Sequence, residues 1–186
     1  MKKYQFGSIQ MTRGCPFTCE FCDIIVVFGR RPRTKTSIQV LAELDALRSA
    51  GKRTVFIVDD NLIGNKTAIK QILAEVIAWQ ERLGYPITFA AEASIDLAED
   101  DELMRLMVEA NIATVFVGIE TPNEESLRET KKIQNLADHK GTMLDKVHRI
   151  RPSSDYVTAM RTKQERMFAA EAAVQAVLLV MRDAPA

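Results

Sequence analysis

Cysteine is scarce in this sequence, and the few cysteines present are clustered. The 186 residues contain three cysteines, all of them between Cys15 and Cys22. An odd number of thiols so close together cannot pair completely, and near neighbours in one loop make poor structural disulfides. The sequence is therefore not that of a disulfide-stapled secreted domain, and we expect a reducing compartment, the cytoplasm.

An excess of charge of either sign is also absent, as are long apolar runs. The 25 lysines and arginines balance 25 acidic residues, which excludes the strong cationic field of proteins that wrap nucleic acid, so no nucleic-acid partner is expected. No apolar run of a secretory signal follows the first basic residues. The longest apolar-rich stretch, residues 167–181, has 15 residues and falls short of the ~18 to 20 that cross a bilayer. We expect no membrane span.

What is present is an alternation of strand-like and helix-like segments. Apolar and β-branched runs predict strands at residues 6–11, 55–58, 87–91 and 115–119. Helical periodicity and caps predict helices from Thr36 or Ser37 to Gly51, from Asn65 to Gly84, and over residues 100–110, 123–132 and 142–150. In the first helix one broad buried face is expected to contain Ile38, Leu41, Leu44 and Leu47.

Strands separated by helices in this way predict an α/β fold of about four parallel βα units. In such sheets the chemistry collects at the carboxyl ends of the strands. The polar residues just past the predicted strand ends are therefore candidates: the residues around the cysteines, Asp59, Asp60 and Asn61, Glu92 with Ser94, and Glu120 with Thr121.

The three cysteines form a CxxxCxxC motif directly after the first predicted strand. Three thiolates on one loop suit a metal ion or an iron–sulfur cubane. Structural zinc needs a fourth protein ligand, and the only histidines, His139 and His148, are predicted beyond the fourth strand. A cluster with three cysteine ligands has one open iron, which is typical of chemistry rather than scaffolding. Zinc binding and functionless thiols remain as alternatives.

With aromatic Phe21 before the last cysteine, the motif resembles that of the radical S-adenosylmethionine superfamily. Four segments look like the cobalamin-dependent branch that includes hopanoid methylases: Arg-Gly-Cys-Pro-Phe at residues 13–17, Val-Asp-Asp-Asn at 58–61, Ala-Glu-Ala-Ser at 91–94 and Gly-Ile-Glu-Thr at 118–121. The resemblance covers about residues 6–150.

The resemblance implies a set of cofactors and residue roles. Cys15, Cys19 and Cys22 would hold a 4Fe-4S cluster whose open iron binds S-adenosylmethionine, and Phe21 would lie near the adenine. The methionine ammonium would be received by Asp59 or Asp60, and the ribose or the methionine end by Glu92, Ser94 or Glu120. An electron donor such as flavodoxin or ferredoxin would reduce the cluster, for a reaction on an unknown small-molecule substrate. Cobalamin is not expected to bind this chain alone.

The resemblance also implies that the barrel is incomplete. The family core has six βα units, and only four can be defended here. We expect residues 1–150 to form the radical S-adenosylmethionine core and residues 151–186 to form a divergent helical tail, with a helix through Val180. The alternative to an active enzyme core is a catalytically inactive, truncated fragment that binds a cluster or metal. The basic run from Arg30 to Lys35 is either a solvated loop or steers an anionic group toward the cluster.

Overall fold

The computed structural model describes residues 5–138, 141–150 and 177–179. The strands in these residues are β1 (Gly7–Ile9), β2 (Thr12–Arg13), β3 (Arg33–Thr34), β4 (Thr54–Ile57), β5 (Thr88–Ala93), β6 (Ile112–Gly118) and β7 (Val177–Leu179). The α-helices are α1 (Ile24–Val27), α2 (Ser37–Ser49), α3 (Lys66–Leu83), α4 (Asp101–Glu109), α5 (Glu124–Glu129) and α6 (Met143–Ile150). Short 3₁₀ turns occupy Leu62–Asn65, Ile95–Glu99 and Ile133–Asn135.

Five strands form one parallel sheet in the order β1-β4-β5-β6-β7. Parallel neighbours need a crossover between them, and α2, α3 and α4 lie in the crossovers that link β1, β4, β5 and β6. The carboxyl ends of these strands therefore meet at one edge of the sheet. The α/β fold with four parallel βα units that the sequence predicts is confirmed.

The helix ends follow the capping signals in the sequence. Thr36 caps α2 with a capping box, since its side chain and that of Gln39 each accept a hydrogen bond from the other residue's backbone N–H. Gly51 follows the helix at φ +76°. Asn65 caps the start of α3, and Gly84 ends it at φ +71° in the left-handed region, where glycine is unstrained. No helix among the described residues combines the length and the apolar character needed to cross a membrane.

The core lies where these helices pack on the sheet, and one predicted core residue is misplaced. Trp79 of α3 is 1% exposed, and its indole N–H donates to Asp45 of α2. Ile38 was predicted to be buried but is 80% exposed. The buried positions of α2 are Val40 and Leu44. Residue 38 lies two positions before Val40, about 200° around the helix, and so faces the opposite side.

The strand β7 corrects the prediction for the end of the chain. The sequence was predicted to be helical through Val180, but residues 177–179 pair in parallel with β6, with Phe116 opposite Val177. A short apolar run can form either element, and the open edge of β6 supplies backbone partners that favour a strand. The remainder of the predicted helical tail, residues 151–176 and 180–186, lies outside the described residues. The domain boundary at residue 150 stays a prediction.

A small second sheet positions the cysteine loop. β2 pairs antiparallel with β3, so that Thr12 lies opposite Thr34 and Arg13 opposite Arg33. Residues 14–32, which we call the cysteine loop, connect β2 to β3, so the two ends of the loop lie side by side. Because β2 follows β1 closely, the loop is held at the carboxyl edge of the main sheet.

Candidate metal and cofactor site

The start of the cysteine loop depends on a glycine. Gly14 has φ +93°, and a Cβ at this position would lie 2.8 Å from the backbone oxygen of Gly29. The next residue, Cys15, donates its backbone N–H to that same oxygen at 3.3 Å. Only glycine allows the two ends of the loop to approach so closely.

All three cysteines are free thiols and line one cleft of about 310 Å³. Cys19 is buried, whereas Cys15 and Cys22 are half-buried. Burial raises the pKa of the Cys15 thiol above its ordinary value. Within the described part of the chain, no three His, Cys, Asp or Glu side chains lie close enough together to hold a single metal ion. In a cubane with three cysteine ligands, each thiolate binds a different iron.

The carboxyl ends of three strands supply the opposite walls of the cleft. Eight of the nine residues with a predicted role line it: Cys15, Cys19, Phe21, Cys22, Asp60, Glu92, Ser94 and Glu120. The strand-end candidate Asn61, which was given no role, also lines it, as do residues that were not predicted: Phe17, Ala93, Phe116, Val117, Gly118, Lys132 and Gln134. The cleft thus combines thiols, carboxylates, one ammonium group and aromatic rings.

Asp59 is the one of the nine residues with a predicted role that does not line the cleft. Its side chain is buried, and its two oxygens accept the backbone N–H groups of Met11 at 2.7 Å and Thr12 at 2.9 Å. Burial raises the pKa of Asp59 to about 6, although the two hydrogen bonds act in the opposite direction. The carboxyl group ties the end of β4 to the chain between β1 and the cysteine loop. In the structure, this carboxylate binds the backbone of Met11 and Thr12.

Asp60 faces the cleft with an open hydrogen-bonding position. Its Oδ2 atom is buried and has no hydrogen-bond partner among the described residues. Burial and the nearby charge of Asp60 raise the pKa of Glu92, which lines the same cleft. A buried acceptor without a donor is costly. Two carboxylates in one cleft, one of them incompletely bonded, are suited to receive a cationic group.

Glu120 and Lys132 form an ion pair inside the cleft. The Lys132 ammonium lies 2.7 Å from Glu120 Oε1, and its side chain is 12% exposed. The same ammonium lies 5.5 Å from the centre of the Phe21 ring, within cation–π range. Glu120 adopts φ +65°, and a Cβ on Gly118 would lie 2.9 Å from Glu120 Oε1. Glycine at residue 118 therefore leaves room for the pair.

Ser94 belongs to a chain of polar contacts at the end of β5. It is bonded to Asn61 through both its backbone N–H and its hydroxyl, and the hydroxyl donates to Asp96. Asp96 in turn pairs with Lys66 at 2.8 Å. The strand-end rule selected Ser94, and Ser94 lines the cleft. The rule could not select Lys132 or Gln134, which follow α5 and return to the cleft only through tertiary packing.

The family of this chain follows from its sequence profile as well as from its site. The profile of the radical SAM superfamily matches residues 9–168, and the chain belongs to that superfamily. The resemblance seen in the CxxxCxxC motif is thereby confirmed.

Two curated relatives are similar to this chain over part of their length. An uncharacterized methyltransferase of Synechocystis sp. is 53% identical over 157 residues, which cover 83% of this chain and 29% of the relative. The hopanoid C-2 methylase of Rhodopseudomonas palustris is 45% identical over 135 residues, covering 72% of this chain and 26% of the methylase. The chain thus spans less than a third of the length of these relatives.

A solved structure shows the same fold. The radical S-adenosylmethionine methyltransferase TsrM from Kitasatospora setae, solved with tryptophan substrate and an S-adenosylmethionine analogue bound, matches with a TM-score of 0.64 at 18% identity. The match covers 94% of this chain and 30% of TsrM. The described sheet and helices are therefore part of a radical SAM barrel, as the sequence analysis predicts.

Proposed function

We propose that this chain is the core of a radical S-adenosylmethionine enzyme. In this proposal Cys15, Cys19 and Cys22 hold a 4Fe-4S cluster, and the cleft beside them binds S-adenosylmethionine. The observation that carries the proposal is the convergence of three free thiols on one cleft with carboxylate, ammonium and aromatic groups. When bound and given one electron, these cofactors supply reductive cleavage of the sulfonium carbon–sulfur bond to methionine and a 5′-deoxyadenosyl radical.

The charged groups of the cleft suit the two ends of a methionine zwitterion. Asp60 offers a buried, unsatisfied oxygen to the amino group, with Glu92 as a second carboxylate on the same wall. Lys132 offers an ammonium to the carboxylate. It can do so without entering from solvent, because it already lies in the cleft beside Glu120.

Ser94, Glu120 and Phe21 are assigned to the nucleoside part. The hydroxyl of Ser94 and the carboxylate of Glu120 are hydrogen-bonding partners for ribose hydroxyls. Phe21 contributes an aromatic surface to the cleft on which an adenine can stack. These assignments rest on the place of each side chain in the cleft and on its chemistry.

The reaction on the final substrate is proposed to be hydrogen abstraction or methyl transfer. The relatives named above as methyltransferase and methylase favour methyl transfer. The free thiols are consistent with a reducing compartment, the cytoplasm, as the place of the reaction.

The cysteine loop is also proposed to receive the electron, from a small acidic carrier of the flavodoxin or ferredoxin class. Its surface exposes Val26 and Val27, at 81% and 66%, next to Arg30 and Arg31. Arg30 donates to the backbone oxygen of Pro16 and not to a carboxylate, so its charge is not neutralised by that contact. An apolar patch beside arginines is complementary to an acidic protein with an apolar centre.

Reductive cleavage tests the proposal. Anaerobically reconstituted protein, given dithionite and S-adenosylmethionine, is expected to form 5′-deoxyadenosine, measured by chromatography. The Cys19→Ala variant is expected to form none, because it lacks one cluster ligand. Cluster binding without cleavage in the wild-type protein would support the alternative of an inactive cluster-binding fragment. A normal yield from Cys19→Ala would rule out the proposed ligands.

A further inference from the structure

Two side-chain amides reach the sulfur atoms of two different cysteines. Gln134 Nε2 lies 3.5 Å from Cys19 Sγ, and Asn61 Nδ2 lies 3.9 Å from Cys15 Sγ. The sequence marked Asn61 only as a polar residue past a strand end, without a role, and it did not mark Gln134. Both are placed on the cleft side of the thiols, because both line the cleft.

The orientation of the Asn61 amide is fixed by its neighbours. The backbone N–H of Ser94 donates to Asn61 Oδ1 at 3.2 Å. Since a backbone N–H can only donate, the atom it contacts is the amide oxygen, and the amide NH₂ must point the other way. That NH₂ group meets the Ser94 hydroxyl at 3.0 Å and the Cys15 sulfur. Asn61 is 4% exposed, and these contacts keep its amide N–H directed at the Cys15 thiol.

The turn that contains Gln134 is held through the residue that follows it. Asn135 is 1% exposed and donates to the backbone oxygens of Gly118 at 3.0 Å and Ile119 at 2.8 Å. These bonds fasten the turn Ile133–Asn135 to the end of β6. The Gln134 N–H faces Cys19, which is the orientation a thiolate requires, because an amide oxygen facing a thiolate would be repelled.

We propose that Asn61 and Gln134 are positioning residues that raise the reduction potential of the cluster held by the cysteines. The inference rests on the proposed function. Reduction adds negative charge that is shared by the cluster and its thiolates. An N–H donor to a thiolate stabilises the reduced form more than the oxidised form, and such hydrogen bonds are among the protein's means of setting cluster potentials. The two amides act on separate thiolates, so their effects should add.

The test measures the midpoint potential of the reconstituted cluster by redox titration followed by electron paramagnetic resonance. Gln134→Met keeps the length of the side chain and removes the N–H donor. Asn61→Leu does the same at residue 61. Gln71→Met is the matched control, because Gln71 is exposed on α3 and lies outside the cleft. Iron and sulfide content are measured for every variant, so that potentials are compared only among proteins with a full cluster.

Gln134→Met is expected to shift the potential to more negative values. Asn61→Leu should produce a smaller shift in the same direction, because its contact is longer, and Gln71→Met should leave the potential unchanged. The double variant should show the sum of the two shifts. If Asn61→Leu does not fold, Gln134→Met alone still tests the inference. The turn Ile133–Asn135 is held by Asn135, so we expect Gln134→Met to fold. If Gln134→Met binds a full cluster and its potential equals that of the wild-type protein, the inference is wrong and the proposed function is unaffected. Failure of the wild-type protein to bind a cluster would overturn the proposed function and the inference with it.

Discussion

At the scale of single residues, two adjacent aspartates have different places in this site. Successive side chains in an extended segment point to opposite sides, so at the end of β4 one carboxylate can enter the cleft and the other cannot. Strand-end position predicts an acidic group in this region, but it does not say which aspartate turns inward. The structure shows that Asp59 holds the backbone of Met11 and Thr12. Asp60 retains a buried oxygen with no partner among the described residues.

Asp60→Asn is therefore expected to weaken S-adenosylmethionine binding to the reconstituted protein. The substitution keeps the shape of the side chain and removes the charge that would receive an ammonium group. Loss of a charge-assisted hydrogen bond costs about 1.5–3 kcal/mol, or about 10- to 150-fold in Kd. Anaerobic equilibrium dialysis with labelled S-adenosylmethionine measures the change.

Asp23→Asn is the matched control for this experiment. Asp23 is exposed on the cysteine loop and does not line the cleft, so its Kd should equal that of the wild-type protein. Equal affinities in wild type and Asp60→Asn, with a full cluster in both, would show that Asp60 does not receive the amino group.

At the scale of elements, the proposed function gives the cysteine loop both the cluster ligands and the outer surface through which an electron would arrive. Arg31 is exposed, and its backbone oxygen would lie 3.2 Å from a Cβ on Gly14, which directly precedes Cys15. The backbone of Arg31 therefore packs against the start of the cysteine loop. If an acidic carrier docks here, the charge of Arg31 should influence the rate of electron transfer.

Arg31→Gln is expected to slow cluster reduction by a flavodoxin, and Arg31→Glu is expected to slow it more, about tenfold at low salt. The difference from wild type should shrink as salt increases, because ions screen exposed charges. Stopped-flow absorbance follows the reaction. Arg82→Glu on α3 makes the same charge change at an exposed residue outside the loop and should behave as wild type. A graded charge series at residue 31 with no change in rate, while dithionite still reduces every protein, would exclude docking at this loop.

The elements that were predicted correctly depend on local sequence, whereas those that were missed depend on contacts between distant residues. The ends of α2 and α3 were predicted because capping residues such as Thr36, Asn65 and Gly84 act on their own backbone neighbourhood. β7 was missed because residues 177–179 become a strand through pairing with β6, which is distant in sequence. Gln134 was missed for a related reason, since Asn135 brings it to the cleft by bonding to the end of β6.

At the scale of the whole molecule, four βα units suffice to bring the three thiols and the strand-end carboxylates to one cleft. The sequence predicted this convergence because a parallel sheet places all its carboxyl ends at one edge. The chain spans less than a third of the curated relatives named above. That this chain alone does not bind cobalamin stays a prediction.

The most direct test of the account is the iron and sulfide content of the anaerobically reconstituted chain, with its Mössbauer spectrum before and after S-adenosylmethionine is added. We expect about four irons and four sulfides per chain. One iron of the four should change its spectrum on addition of S-adenosylmethionine, because three cysteines leave it without a protein ligand. A single tightly bound zinc with no sulfide, or a cluster in which no iron responds, would contradict the account.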